Sequence, residues 1–213
     1  MGMSIPYEQT GRTHQKARTR AALLDATRAL LTEGVSPTVE QAADRAAISR
    51  TTAYRYFTNQ RALLSAVYPE IATGSLLEAD APADPAARLE LVVDRFTAQI
   101  LEHEPELRAQ LRLSLEPGLT EPDQLPFRKG RVIGWIEDAL APLRESMSDA
   151  ELRRLVLAIR ATTGIEALVW LTDVAGLPRE EATELMRSSA QALLRDACRD
   201  GQEADPRSEE PGP

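Results

Sequence analysis

No stretch of this chain keeps the alternating apolar and polar pattern of a half-buried strand, whereas helix punctuation recurs along its length. Thr38-x-x-Gln41 and Ser148-x-x-Glu151 are capping boxes. Ser49 and Asn59 are side-chain N-caps. Pro178 stands where a helix opens, and Gly34 and Gly176 stand where helices close. These signals specify an all-α fold of about nine helices. With 213 residues, 43% of them hydrophobic, the chain can bury a core unaided by staples.

Composition removes several alternatives. Cys198 is the single cysteine, so no internal disulfide forms. With His14 and His103 as its two histidines, a Cys/His zinc site is excluded. The sequence points to no metal and no cofactor. The longest apolar runs, such as Ala167 to Leu171, are far short of a membrane span, and the N-terminus has no signal-peptide core. The expected location is cytoplasmic, with no membrane partner.

The helical pattern divides the chain. Residues 1–13 are polar and read as a flexible arm. A first helix, from about Thr13 to Glu33, carries Ala17, Ala21, Leu24, Ala26, Leu30 and Leu31. A second runs from Thr38 to about Ala46, with Ser36-Pro37 as an alternative start. Ala47-Ile48 makes a turn, a third helix covers about Arg50 to Phe57, and a fourth runs from Asn59 to about Leu77. After a Pro/Asp loop, Leu89, Val92, Val93, Phe96 and Ile100 form one face. Glu106 to Leu115 is a shorter helix, and Glu116 to Pro126 a loop. Val132 to Leu143, Ser148 to about Ala175 and Pro178 to Arg199 complete the set. The acidic tail, 200–213, is expected to be disordered. The expected domain boundaries are 14–60 and 61–199.

Charge is unevenly spread. Residues 1–68 hold nine basic and five acidic residues, a balance of +4 inside a chain of net −8. A basic end on an acidic body fits an anion-binding module joined to something else. The basic run Arg12, Lys16, Arg18, Arg20 is either an arm reaching for a backbone or a solvated helix face.

The stretch Thr38 to Leu64 holds two short helices joined by a tight turn, with Ala42, Ala43 and Ala46 where they must approach closely. That is the sequence form of a helix-turn-helix. Its second helix concentrates Ser49, Arg50, Thr51, Thr52, Tyr54, Arg55 and Tyr56, donors and π surfaces suited to base edges and phosphates. Phe57 is expected to pack inward.

The sequence here resembles the tetracycline-repressor (TetR) family of one-component regulators. The resemblance rests on Thr38, Ala42-Ala43, Ile48-Ser49, Thr52, Tyr54-Arg55-Tyr56-Phe57 and Ala62-Leu63-Leu64, with Ala26, Leu30, Leu31 and Gly34 before them. It covers about residues 17–68. It implies a three-helix DNA-binding domain whose third helix enters the major groove of a double-stranded operator. Arg50, Thr51, Thr52 and Arg55 match recognition positions, Tyr54 and Tyr56 match phosphate contacts, and Thr38 matches a backbone contact. Two positions depart from the family. Ala47 stands where glycine is usual, at a cost of about 1 kcal/mol if φ is positive there. Gln60 stands where a phosphate-binding Lys is common, with Arg61 beside it; one lost phosphate charge lowers the salt slope by about 0.9.

The resemblance further implies a C-terminal domain that binds a small-molecule effector and forms a homodimer. Gly164, Ala167, Leu168 and Leu171, with Ala182, Leu185, Ala190 and Leu194 on the last helix, are either dimer stripes or intramolecular core. Phe96, Gln99, His103, Arg112, Trp135, Thr163, Glu166 and Trp170 are the candidate effector contacts. Glu166 lies one turn before Trp170, a pairing suited to a cationic ligand or simply a surface carboxylate beside a core aromatic. Nucleophile-elbow, P-loop, dinucleotide and zinc-protease motifs are missing from the sequence, so the expectation is a regulator and not an enzyme. A helical interaction protein without sequence-specific DNA binding is the competing class.

Overall fold

The computed structural model describes residues 7–67, 74–115 and 131–203. All its regular elements are helical: α1 (Tyr7–Thr32), α2 (Val39–Arg45), α3 (Arg50–Tyr56), α4 (Gln60–Ala66), α5 (Pro85–Glu102), α6 (Glu104–Leu115), α7 (Arg131–Ala139), α8 (Asp149–Thr163), α9 (Ile165–Val169) and α10 (Arg179–Glu203). A 3-10 turn (Ala141–Glu145) follows α7, and a π turn (Trp170–Val174) follows α9. The chain separates into two compact units, Met1–Glu70 with Pro105–Arg128, and Ile71–Glu104 with Lys129–Pro213.

The first unit is set by caps and small residues. Gly34 closes α1 at φ 79°, a conformation that a side chain would strain. Thr38 and Gln41 make the reciprocal capping box of α2. Ser49 caps α3 and Asn59 caps α4 by accepting from backbone N–H groups three residues on. Ala42, Ala43 and Ala53 are fully buried, which lets the short helices meet closely around Leu23, Leu63 and Leu64. Each fully buried leucine contributes about 1.5–3 kcal/mol of transfer free energy.

Helix α6 belongs to this unit, not to the effector domain expected to begin at residue 61. Ala109 and Leu113 complete its core. The Gln110 side-chain amide donates to the Leu64 carbonyl, closing a backbone acceptor at the end of α4.

The second unit packs α5, α7, α8 and α10 around Leu89, Val93, Ile136, Leu140, Val156 and Ile159. Arg88 pins the loop ahead of α5 to the end of α7, donating to the carbonyls of Pro82, Asp138 and Ala139 at 3.3, 2.9 and 3.0 Å. Ser148 and Glu151 form the second capping box, and Gly176 ends the π turn at φ 74°.

Five boundaries differ from the sequence expectation. Helix α1 begins at Tyr7, so residues 7–13 of the expected arm are helical. Helix α4 ends at Ala66 instead of near Leu77; Gly74 to Asp84 form a loop with Asp84 capping α5. Helix α10 continues through residues 200–203, the start of the expected disordered tail. The expected helix from Ser148 to Ala175 is broken at Gly164. The segment expected to extend to Leu143 ends its α-helix at Ala139, because Pro142 supplies no N–H and the chain tightens to 3-10. Residues 1–6, the loop 116–126 and the tail from 204 lie outside the described residues.

Candidate nucleic-acid interface

Helix α3 has an inner and an outer face. Ala53 is fully buried and Phe57, its C-cap residue, is 4% exposed. The inward packing of Phe57 is sealed by the Arg20 guanidinium, 5.7 Å from the ring centroid. This gives one member of the N-terminal basic run a definite contact. Tyr56 is half-buried against the same core, so its ring supports the helix as well as offering a hydroxyl.

Arg50, Thr51, Tyr54 and Arg55 are exposed together on the outer face. The Ser49 hydroxyl donates to Thr52 Oγ1 at 2.9 Å, so Thr52 is engaged in the local cap and half-buried. The inter-helix turn is made by Ala47 at φ 53°, the one non-glycine with positive φ among the described residues. The missing glycine therefore costs about 1 kcal/mol of backbone strain.

Two expected DNA-contact residues are occupied within the unit. The Gln60 side-chain amide donates to the carbonyls of Ser36 and Pro37, at 3.2 and 3.1 Å, and ties α4 to the entrance of α2. A lysine here would offer a charge to phosphate; Gln60 instead holds a loop. Arg61 is half-buried and has interactions of its own. Thr38 is exposed, with its hydroxyl oxygen accepting from Gln41 N–H.

Sequence reasoning missed the acidic residues of α2. The Tyr54 hydroxyl donates to the Glu40 carboxylate. That bond holds the Glu40 carboxyl below its usual range and the Tyr54 phenol above its own. Asp44 lies 3.6 Å from the Arg50 guanidinium, a looser and largely exposed pairing. Glu33 and Arg45 pair across the ends of α1 and α2. Fourteen residues separate Glu40 from Tyr54, so no local pattern predicts their contact.

The candidate effector and dimer residues are redistributed by the fold. Phe96 and Trp135 pack edge to face, centroids 6.0 Å apart, and both are buried core. Thr163 is buried and donates to the Ile159 carbonyl. Gln99 is half-buried and His103 is the C-cap of α5. Arg112 lies on α6 in the first unit and donates to Ser36, so it is separated from the other candidate effector contacts. Glu166 accepts from both terminal guanidinium nitrogens of Arg160, at 3.1 and 3.2 Å. That pairing removes it as a free anion for a cationic ligand.

Of the expected dimer residues, Leu168, Ala182, Ala190 and Leu194 are at most 3% exposed within a single chain. They are intramolecular core, where no second subunit can reach. Gly164 is also buried: a Cβ there would stand 1.9 Å from Arg160 Nη1. The structure does bring Ala167, Leu171 and Leu185 together with Glu166 and Trp170, in one groove of about 460 Å³ between α9 and α10. Leu185 and Trp170 are 44% and 59% exposed there.

A capped helix pair with a tight turn, one locked face and one exposed basic and hydroxyl-rich face defines a helix-turn-helix DNA-binding domain. Residues 23–67 match the family model of bacterial regulatory proteins of the tetR family, so the similarity covers this helical stretch of the chain. No curated protein matches the chain. Among solved structures, a TetR-family transcriptional regulator from Streptomyces coelicolor is 23% identical, covering 84% of this chain and 98% of that chain with a TM-score of 0.43.

Proposed function

We propose that the protein is a homodimeric, ligand-responsive transcription regulator of the cytoplasm: a repressor that leaves a pseudo-palindromic operator when a small molecule binds its second unit. The observation that carries the reading is the outer face of α3, where Arg50, Thr51, Tyr54 and Arg55 are solvent-exposed on a helix whose other face is fixed by Ala53 and Phe57. Arginine can grip guanine O6 and N7 bidentately, and the small hydroxyl residues can bond base edges or phosphates.

Dimerisation is supported by exposed apolar side chains on the second unit. Leu157, Trp170, Val174 and Leu185 are 43%, 59%, 71% and 44% exposed. Trp170 and Leu185 share one groove, and contiguous exposed apolar surface is the kind that marks an interaction site. A twofold dimer would set two α3 helices to read two half-sites. An effector would act by binding more tightly to the arrangement whose α3 spacing misfits the operator.

The test is selection of genomic fragments on the purified protein, followed by fluorescence anisotropy of the best fragment against salt. A short inverted repeat bound by two subunits supports the reading. Weak, equal binding of all fragments at low salt overturns it. The same groove at Trp170 and Leu185 supports the competing class, a helical interaction protein. Changing Arg50, Tyr54 and Arg55 to Ala abolishes operator binding in the regulator and leaves a protein partner untouched in the alternative.

A further inference from the structure

The outer face of α3 is not purely attractive to DNA. Tyr54 has a single hydroxyl proton, and it is given to Glu40. A phosphate oxygen approaching Tyr54 therefore meets a hydroxyl whose donor is taken and a carboxylate directly behind it. The Tyr54 hydrogen bond is also the main reason the Glu40 carboxyl stays charged below its usual range. Tyr54 is one of the positions the resemblance assigns to phosphate contact, and its hydroxyl is turned to this anion. Asp44 and Arg50 differ in kind, since their pair is long at 3.6 Å and both side chains are about two-thirds exposed. Water and DNA can displace that pair readily.

We propose that Glu40 is a specificity-determining residue that suppresses sequence-independent binding by withholding the Tyr54 proton and setting a negative charge against the phosphate track. This rests on the DNA-binding reading above and names a control within that same surface. Non-specific affinity comes almost entirely from phosphate contacts. A residue that opposes those contacts lowers binding to random DNA more than binding to a site that also offers base contacts. That is discrimination by a built-in repulsive element.

The test uses the full-length protein on two duplexes, one of random sequence and one carrying the selected operator. Glu40→Gln removes the charge but leaves an acceptor for Tyr54; Glu40→Ala also frees the proton. We expect Glu40→Gln to tighten random-DNA binding about threefold and Glu40→Ala about tenfold at low salt, the range of one charge-assisted hydrogen bond. The operator should gain less, so the specificity ratio falls. In the Glu40→Ala background, Tyr54→Phe should return much of the gain, and unchanged circular dichroism melting excludes a folding effect. If Glu40→Gln and Glu40→Ala leave random-DNA binding unchanged or weaken it, the inference is overturned. If they tighten random DNA as expected but no fragment is bound specifically by the wild type, the regulator reading fails while the phosphate brake stands.

Discussion

The two units use their polar residues in opposite ways. In the first, residues expected to meet a partner remain on the surface: Arg50, Thr51, Tyr54 and Arg55 are exposed around a core of alanines and leucines. In the second, most residues expected to meet a ligand or a subunit are consumed internally. Phe96 packs edge to face against Trp135, Glu166 is paired with Arg160, and Leu168 and Ala190 are fully buried. A reading head must hold a rigid helix against a regular external lattice, so its functional side chains follow one helix and one exposed face. A body of longer packed helices solves its own burial first, and what remains for a partner is a rim such as Trp170 and Leu185.

The largest effects test whether the units are separate in energy as well as in contact. Phe57→Ala empties a site sealed by Arg20 and should cost about 3–5 kcal/mol, while Ile136→Ala should cost about 2–5 kcal/mol. Scanning calorimetry should show Phe57→Ala lowering one transition and Ile136→Ala another. A single transition moved equally by both would break the division into two units.

The next effect separates surface from core within the first unit. Arg50→Ala and Arg55→Ala should each cost about 1–3 kcal/mol of operator affinity by anisotropy, with melting changed by less than about 0.5 kcal/mol. Arginines that proved structural would show the reverse: a lower melting temperature and unchanged relative affinity among sequences.

Legibility follows the range of the interaction. Capping at Thr38, Ser49, Asn59 and Ser148 spans three residues, so it is readable along the chain and is found in place. The same holds for Gly34 and Gly176, whose role depends on one backbone angle each. The exposed face of α3 was legible because a helix of known start fixes which residues share a face. The break at Gly164 was not, because it is bound up with Arg160 reaching across to Glu166. Nor was the grip of Glu40 on Tyr54, which depends on how α2 crosses α3. Apolar stripes on α10 announce burial but never say by what, so Ala182 and Leu194 looked alike as core or as interface until neighbours from their own chain covered them.

A pair of opposite substitutions sharpens the contrast at about 1 kcal/mol. Ala47 stands at φ 53°, so Ala47→Gly should stabilise the first unit by up to about 1 kcal/mol in chemical denaturation. Gly164 stands at φ −86°, which any residue adopts, but its Cβ would meet Arg160. Gly164→Ala should therefore destabilise the second unit by about 1 kcal/mol or less, since the displaced group is the end of a flexible side chain in a partly exposed pair. Glu166→Gln should remove most of the same energy, and the double variant should be less than additive.

The smallest expected effect is a pH dependence that touches both units alike. Glu33 is held below the ordinary carboxylate range chiefly by its hydrogen bond to Arg45, and Glu151 chiefly by its bond to Ser148. A carboxylate whose folded value is depressed binds its proton more weakly in the folded chain than in the unfolded one. Its contribution is complete above the unfolded value and is lost as pH falls through the folded value. Wild type should thus lose stability from about pH 5 downward. Glu33→Gln and Glu151→Gln should each lower the melting temperature at pH 7, and each difference should shrink as pH is lowered toward 3. Both pairs are solvated, so the slopes should also flatten in high salt. A difference that persisted unchanged at pH 3 would mean that the side chain acts by packing or by a neutral hydrogen bond, and that charge contributes nothing at that cap.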